Sequence, residues 1–292
     1  MITWTPQPTQ DGSYTFSSAE FGETFHSRQG AKTEAFQKFV AATDLCQKAT
    51  QPTLRLLDIC YGLGYNTAAA LESIWRVNPS CRVEVYGLEL DATVPVGAAI
   101  PEVLNGWSNG VQDVLRDLAR THTCQRENLS AHLPIGDARQ GIQQLVRQRF
   151  EADAIFLDPF SPRRCPQLWT VEFLGMVAKC LAADGKLSTY SRSAAVRTAL
   201  LAAGLCIGTI PLSQSQGSSH EWSQGTVAAW RSQTLFPLSQ MEREHLQTRA
   251  AIPYRDPSLS DGAAAIAARH QQEQAQTQLE STSSWRRRWG IR

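Results

Sequence analysis

Short apolar runs alternate with amphipathic stretches over residues 51–231. The runs predict strands near 54–59, 83–89, 131–135, 153–158, 185–190, 205–210 and 226–230. The stretches between them predict helices near 66–77, 109–121, 138–149, 170–182 and 193–203, because their apolar residues recur at helical spacing. Apolar strands that alternate with helices are typical of a parallel sheet covered on both faces. The pattern therefore predicts an α/β fold with a doubly wound, mostly parallel sheet.

Residues at the ends of the predicted helices support this division. Thr170 precedes apolar residues at helical spacing, beginning with Phe173, and is a predicted N-cap. Gly185 and Gly204 each follow a predicted helix, where a left-handed C-cap residue is expected.

Two further zones flank the alternating pattern. Residues 1–50 contain scattered aromatic residues and then a helical pattern that begins at Ala31. Residues 232–292 are polar and end in the basic and aromatic cluster Trp285–Arg292. We therefore expect an N-terminal extension with a helix, an α/β core over residues 51–231, and a polar C-terminal extension.

Composition narrows the class of protein. Of the 292 residues 42% are hydrophobic, and the formal net charge is +1, so any attraction to nucleic acid must come from a local basic patch. The seven cysteines form no CxxC pair, which predicts reduced thiols and no metal site. We expect a cytoplasmic protein without membrane contact, because the sequence has no signal-peptide pattern and no apolar run of about 18 residues.

A turn containing two glycines follows the first predicted strand. Asp58 ends this strand, and Gly62, Gly64 and Asn66 follow it in the motif DICYGLGYN (58–66). Glycine lets the chain turn tightly and lets a ligand approach the backbone. Ligands of doubly wound folds bind beyond the carboxyl ends of the strands, where this turn lies. A tight turn without a ligand is the alternative interpretation.

Acidic residues follow the next strands. Glu89 lies 25 residues beyond Gly64 and can accept hydrogen bonds from both hydroxyls of a ribose. Asp137, followed by Ala138, can accept a hydrogen bond from an adenine amino group, or it can cap the helix that begins at Arg139. Together with the glycine turn, these acids predict a nucleoside ligand and leave NAD and S-adenosylmethionine open.

The most specific motif is the turn after the fourth strand, DAIFLDPFSP (153–162). Pro159 and Pro162 stiffen this turn, which carries Asp158 and Phe160. A rigid turn with a carboxylate and a ring is suited to holding an acceptor nitrogen against a reactive centre. A nicotinamide dehydrogenase has no need of such a turn, so the motif favours S-adenosylmethionine.

These motifs resemble the methyltransferase part of the bifunctional tRNA wobble-uridine modification enzyme MnmC and its stand-alone relatives. The resemblance covers much of residues 14–231. It is carried by FSSAEFGETFHSRQGAKTEAFQKFV (16–40), ICYGLGYN (59–66), YGLELD (86–91), IGDA (135–138), DAIFLDPFSPRRCPQLWT (153–170) and GKLSTYSRSAAVRTALLAAGL (185–205). Two residues depart from the family pattern, because Cys60 and Pro159 stand where glycine is common.

The resemblance implies a Rossmann-like class I fold and N-methylation of the aminomethyl group of a tRNA wobble uridine. Asp158 is then the expected catalytic residue, as a general base or as a group that orients the amine. The residues expected to bind S-adenosylmethionine are Asp58, Gly62, Gly64, Asn66, Glu89, Asp137 and Ala138. We expect no flavin, because only about 60 polar residues follow residue 231, too few for an oxidase domain.

Several residues are candidates to contact the tRNA. Phe160 and Trp169 are expected to stack on the uracil, with a role for Trp169 as a core anchor as the alternative. Arg163 and Arg164, beside the same turn, are expected to bind substrate. The other candidate phosphate contacts are Arg192, Arg197, Arg286, Arg287 and Arg288. His220 and Trp222 lie in a polar loop that is a candidate to line the mouth of the site.

Two other functions remain open at this point. A spermidine-synthase-like aminopropyltransferase shares the core and a carboxylate after the fourth strand, but it requires an acid-rich polyamine pocket. A non-catalytic RNA-binding protein on the same fold would not need the complete set of acids and glycines. No protein partner is indicated.

Overall fold

Residues 4–211 and 223–291 are described by the computed structural model. Its N-terminal segment forms two small antiparallel hairpins, in which β1 (Gln7–Pro8) pairs with β2 (Tyr14–Thr15) and β3 (Ser17–Ser18) pairs with β4 (Glu23–Thr24). The helix predicted from Ala31 consists of α1 (Ala31–Glu34) and a π-helical turn (Ala35–Val40), and α2 (Leu45–Lys48) follows.

The central sheet lies in the middle of the fold. Its strands in the described residues are β5 (Thr53–Ile59), β6 (Arg82–Leu88), β7 (Thr123–Arg126), β8 (Leu129–His132), β9 (Ala152–Leu157), β10 (Leu181–Thr189), β11 (Cys206–Thr209) and β12 (Thr226–Ala229). They lie in the order β11-β12-β10-β9-β5-β6-β8-β7. The five strands from β10 to β8 are parallel, and the outer pairings are antiparallel. The predicted doubly wound, mostly parallel sheet is confirmed.

Helices cover both faces of this sheet. They are α3 (Tyr65–Val77), α4 (Thr93–Ala98), α5 (Pro101–Leu104), α6 (Asn109–Thr121), α7 (Ala138–Arg147), α8 (Val171–Lys179) and α9 (Ala194–Ala202). Buried residues of α1 to α6 pack with one face of the sheet, and those of α7 to α9 pack with the other. Alternate residues of β9 point to opposite faces, so Phe156 joins the first cluster while Ile155 and Leu157 join the second.

The structure confirms the helix caps predicted at Thr170 and Gly204. The Thr170 hydroxyl accepts a hydrogen bond from the Phe173 amide at 3.2 Å, and Gly204 follows α9 with a φ of 86°. The prediction for Gly185 is wrong, since α8 ends at Lys179 and Gly185 lies within β10. A Cβ at Gly185 would lie 2.7 Å from the Ala152 carbonyl oxygen, so glycine is required there by the close approach of β9.

The C-terminal segment folds against the core. It contains α10 (Gln240–His245), α11 (Ala263–Gln276) and α12 (Thr282–Arg288). Tyr254 and Ile266 join the buried cluster of α7 to α9, and the buried Trp285 stacks on His245 with ring centroids 4.3 Å apart. Residues 232–291 are thus polar in composition but packed in structure. No helix in residues 4–211 or 223–291 is long and apolar enough to cross a membrane.

Candidate active site

The candidate site lies where the strand order of the sheet reverses. From β5 the chain proceeds outward to β6, whereas β9 and β10 lie on the other side of β5. Asp58 is at the end of β5, and Asp158 directly follows β9, with its amide donating to the Ile59 carbonyl at 3.1 Å. A crevice for ligands forms at such a switch point, beyond the carboxyl ends of the strands.

The turn after β5 requires glycine at two positions. Gly62 has a φ of 56° and Gly64 a φ of 82°, in the left-handed region that side chains disfavour. A Cβ at Gly64 would lie 2.6 Å from the Tyr61 hydroxyl oxygen. Cys60 has a φ of 67°, so it adopts a backbone conformation that favours glycine. This conformation costs a non-glycine residue about 1–2 kcal/mol.

Hydrogen bonds order the acidic residues around the turn. One oxygen of Glu89 accepts from the Gly62 amide at 2.8 Å, and the other accepts from the Leu90 and Asp91 amides at 2.8 and 3.0 Å. The Asn66 side-chain amide donates to Asp158 at 2.9 Å. These bonds link the glycine turn, the β6 carboxylate and the β9 carboxylate in one network.

The residue behind this network is Asp58. The Thr67 hydroxyl donates to its Oδ2 atom at 2.7 Å, while no donor among the described residues reaches its buried Oδ1 atom. Burial raises the pKa of Asp58 to about 7. A carboxyl group in this state can accept or donate a hydrogen bond from beneath the glycine turn.

A cavity of about 600 Å³ opens in front of these residues. The N-terminal segment closes one side of it: the Phe21 ring stacks on Phe160 with centroids 4.5 Å apart, and Phe25 meets Phe160 edge-on at 5.0 Å. The Glu23 carboxylate accepts from the Ser161 amide at 2.9 Å, which ties β4 to the turn that carries Asp158. The cavity therefore lies between the sheet and the N-terminal hairpins.

Carboxylates dominate the polar lining of the cavity. The acidic side chains that line it are Glu20, Glu23, Glu34, Glu89, Asp91 and Asp158. Lys38 also lines it, as does His26, whose pKa burial lowers to about 4, so that its ring is neutral at pH 7. Burial also raises the pKa of Glu89, and raises that of Asp158 well above its usual range with help from the Glu34 charge. Such a lining suits a cationic ligand.

Four predicted site residues line the cavity together: Gly62, Glu89, Asp158 and Phe160. Asp58, Gly64 and Asn66 lie directly behind them in the same turn and network. Asp137 lies between β8, which ends at His132, and α7, which begins at Ala138. The Asp137 carboxylate accepts a hydrogen bond from the Arg139 amide at 2.8 Å and forms an ion pair with the Arg139 guanidinium at 2.7 Å. The N-cap role predicted for Asp137 is therefore confirmed. The adenine contact predicted for Asp137 stays a prediction.

Two of the predicted tRNA contacts are placed elsewhere. Trp169 is 0% exposed, and its indole donates to the Phe160 carbonyl at 2.8 Å, so it anchors the turn in the core and cannot stack on a base. Arg197 is also buried, in an ion pair with Glu242 at 2.9 Å, because α9 packs this side chain against the C-terminal segment. Arg163 and Arg164 are exposed beside the Asp158 turn.

The basic C-terminal residues are divided in the structure. Arg288 forms ion pairs with Glu244 at 3.0 Å and Glu280 at 2.6 Å, whereas Arg286 and Arg287 are exposed on α12. His220 and Trp222 lie outside the described residues.

Several residues of the cavity were not predicted individually. Phe21, Phe25, Glu34 and Lys38 come from the N-terminal segment, and Tyr190 follows β10, with its hydroxyl donating to the Pro159 carbonyl at 2.8 Å. The only signal for the N-terminal residues was the family motif at 16–40, which does not reveal what each side chain contacts.

The site fits S-adenosylmethionine. Gly62 and Glu89 line the cavity, and its surplus of carboxylates matches the positive charges of a sulfonium and an ammonium group. The ribose contact predicted for Glu89 stays a prediction. Within residues 4–211 and 223–291, no three His, Cys, Asp or Glu side chains are grouped as a metal site requires.

Comparisons with known proteins agree with this site. A family model described as S-adenosyl-L-methionine-dependent methyltransferase matches residues 101–217. The crystal structure of MNMC2 from Aquifex aeolicus is 30% identical, covers 95% of this chain and 87% of its own, and superposes with a TM-score of 0.79. Fold and site thus define an S-adenosylmethionine-dependent methyltransferase.

Curated relatives show to which family of methyltransferases the chain belongs. The protein named tRNA 5-methylaminomethyl-2-thiouridine biosynthesis bifunctional protein MnmC from Pseudomonas savastanoi is 36% identical over 75% of this chain, and its counterpart from Aromatoleum aromaticum is 31% identical over 67%. The chain spans 34% and 31% of the length of these two relatives. An uncharacterized protein of Methanocaldococcus jannaschii is 28% identical over 86% of this chain and 67% of its own. The chain belongs to the MnmC methyltransferase family.

Proposed function

We propose that this methyltransferase transfers the methyl group of S-adenosylmethionine to the amine of an aminomethyl group on a tRNA wobble uridine. The observation that carries the proposal is the position of Asp158: it follows β9 at the switch point, is held by Asn66 and faces an acid-rich cavity. Both the position and the surrounding charge suit an acceptor that arrives as a cation.

The chemistry of such an acceptor defines the work of Asp158. An alkyl amine has a pKa of about 10, so at neutral pH it arrives protonated and has no free lone pair. When bound, S-adenosylmethionine supplies a methyl group already activated by its sulfonium charge. Asp158 accepts one proton from the ammonium group, and the freed nitrogen lone pair then forms the bond to the methyl carbon as the carbon–sulfur bond breaks toward sulfur. The product is a secondary ammonium, and Asp158 returns its proton to solvent.

The raised pKa of Asp158 supports this role. A carboxyl group whose pKa is raised by burial is a stronger base than an ordinary one when it is ionised. The positive charge of a bound cofactor favours that ionised form, because opposite charges stabilise each other.

A tRNA substrate is supported by the names of the MnmC relatives and by the surroundings of the cavity. Phe160 and Phe21 form a stacked aromatic pair in the cavity lining, and unstacked bases pack against aromatic side chains of this kind. Arg163 and Arg164 are exposed beside the same turn, in reach of a backbone that passes the cavity, and Arg286 and Arg287 offer a second exposed basic site.

One observation keeps an aminopropyltransferase as a second candidate. The acid-rich lining of the cavity is what a polyamine acceptor such as putrescine would require. The MnmC relationship and the exposed arginines beside Asp158 favour the tRNA acceptor.

Isotope tracing tests the proposal. The purified protein is incubated with S-adenosylmethionine labelled in its methyl group and with tRNA that carries aminomethyluridine, and the digested nucleosides are analysed by mass spectrometry. We expect the label on the nitrogen of the aminomethyl group. A parallel reaction offers putrescine and decarboxylated S-adenosylmethionine. Aminopropyl transfer without tRNA methylation would establish the second candidate, and cofactor binding without any turnover would indicate a non-catalytic protein.

A further inference from the structure

Glu34 is a carboxylate of the cavity to which the reaction described above assigns no role. It ends α1 and lines the cavity together with Asp158. Its side chain is only 11% exposed and forms an ion pair with Lys38, one helical turn further on. Its second oxygen accepts a long hydrogen bond, 3.4 Å, from the Ser27 amide.

The backbone after Glu34 fixes this ion pair relative to the sheet. The chain enters a π-helical turn, in which the Ala41 amide donates to the Phe36 carbonyl at 2.9 Å. Such turns are rare and are frequent at functional sites. The Lys38 carbonyl accepts a hydrogen bond from the Ser188 hydroxyl on β10, the strand beside β9. This bond connects the backbone at Lys38 to the strand beside β9, which precedes Asp158.

The charges of the reaction call for a second carboxylate. A protonated amine must approach a sulfonium, and two charges of the same sign repel each other more strongly in a partly buried cavity than in water. One carboxylate at Asp158 offsets part of this repulsion, and it loses its charge once it takes the proton. A neighbouring carboxylate that stays ionised would keep the amine in place throughout.

We propose that Glu34 is the positioning residue for the acceptor: it exchanges Lys38 for the protonated amine and holds that amine against Asp158. This inference rests on the proposed amine methylation. In the absence of substrate, Lys38 forms the ion pair that neutralises Glu34. This role of Glu34 makes the enzyme select cationic acceptors over neutral or anionic ones.

The polar and ionisable groups around the two carboxylates define a pH signature. Those that face Asp158 are Glu34, Lys38, Asp58, Cys60, Asn66 and Tyr190. Those that face Glu34 are Lys38, His26, Tyr190 and the Ser27 amide. The Glu34 charge raises the pKa of Asp158, and the Lys38 charge lowers it. Removing the Glu34 charge should therefore move the acidic limb of the pH profile of kcat/KM to lower pH, and removing the Lys38 charge should move it to higher pH.

Four variants of the full chain test the proposal with aminomethyl tRNA as acceptor. Glu34→Gln should raise KM for tRNA roughly 10- to 100-fold, the range for loss of a charge-assisted bond, with an unchanged Kd for S-adenosylmethionine. The acidic limb of the kcat/KM profile should lie at lower pH for Glu34→Gln than for the wild type, and at higher pH for Lys38→Met. Glu34→Asp should recover part of the KM loss, and Glu127→Gln, an exposed acid in the turn between β7 and β8, should match the wild type.

Equal KM values for Glu34→Gln and Glu127→Gln would overturn the proposal. So would a loss of cofactor binding and thermal stability in Glu34→Gln that Glu34→Asp does not relieve, because that result assigns Glu34 a structural role. If Glu34→Gln fails to fold, Glu34→Asp decides alone: an unchanged KM overturns the proposal, and a raised KM with normal cofactor affinity supports it. A wild-type protein that binds cofactor but methylates no amine would instead overturn the proposed function.

Discussion

Replacing Gly64 by alanine tests the geometry of the cofactor turn. Gly64 has a φ of 82°, which costs an alanine about 1–2 kcal/mol. The added Cβ would lie 2.6 Å from the Tyr61 hydroxyl oxygen and 3.0 Å from a Leu115 methyl carbon. Tyr61 is only 4% exposed, so its ring has no free space to move into, and overpacking of this kind costs about 1–3 kcal/mol. Allowing for the smaller entropy of the unfolded alanine chain, we expect a net loss of about 2–4 kcal/mol in the free energy of unfolding.

Urea denaturation measures this loss, and calorimetry measures the accompanying change in affinity for S-adenosylmethionine. Gly175→Ala is the matched control, because Gly175 lies inside α8 and an added Cβ there has no atom within 4 Å. That control should gain up to about 1 kcal/mol through helix propensity. If Gly64→Ala keeps both the stability and the cofactor affinity of the wild type, Gly64 has neither the left-handed conformation nor the close contact with Tyr61 that the prediction assumes.

Three further predictions follow from strain, burial and charge. Cys60→Gly should stabilise the protein by about 0.5–1 kcal/mol in urea denaturation, because it relieves a φ of 67°, and a clear loss of stability would contradict this. The folded-state pKa of Asp58 is raised to about 7, so its contribution to stability is present below pH 4 and is lost as the pH rises toward 7. Asp58→Asn should therefore flatten the fall in Tm between pH 4 and pH 7, and an unchanged slope would show that other groups cause it. The Arg286→Ala/Arg287→Ala double variant should weaken tRNA binding and reduce its salt dependence, while its affinity for the cofactor stays constant. Deletion of residues 285–292 should also destabilise the fold, because it removes the buried Trp285. Equal tRNA affinity of the double variant and the wild type would exclude this surface as a tRNA-binding site.

The sheet and the centre of the site could be predicted because their signals are local. The strands of the core are nearly continuous apolar runs, and α6 has the predicted bounds because Val111, Val114, Leu115 and Leu118 recur at helical spacing. Parallel strands place their carboxyl ends at one edge of the sheet. Residues that directly follow apolar runs, such as Asp158, therefore had to lie near one another.

The rest of the site depends on contacts between distant parts of the chain. The strands of the N-terminal hairpins are two residues long, and Phe21 meets Phe160 through folding of the whole segment over the sheet. The edge strand β7 was missed because it is short and polar, with Cys124 as its one buried residue. Arg197 resembles a surface charge in sequence, and only the position of Glu242 on α10 shows that it is buried and paired.

The measurement that tests the central claim most directly is the pH dependence of methyl transfer to aminomethyl tRNA by Asp158→Asn. Asparagine keeps the shape of the side chain and its bond to Asn66 can persist, but it cannot accept the proton of the amine. We expect the variant to fold, to bind S-adenosylmethionine nearly normally and to lose roughly 100-fold or more in turnover at neutral pH. Raising the pH toward the pKa of the amine, about 10, should restore part of the rate, because free amine then forms without a base. Near-normal turnover at neutral pH would contradict the assignment of Asp158 as the base, and a loss that high pH does not relieve would make it a group that only orients the amine.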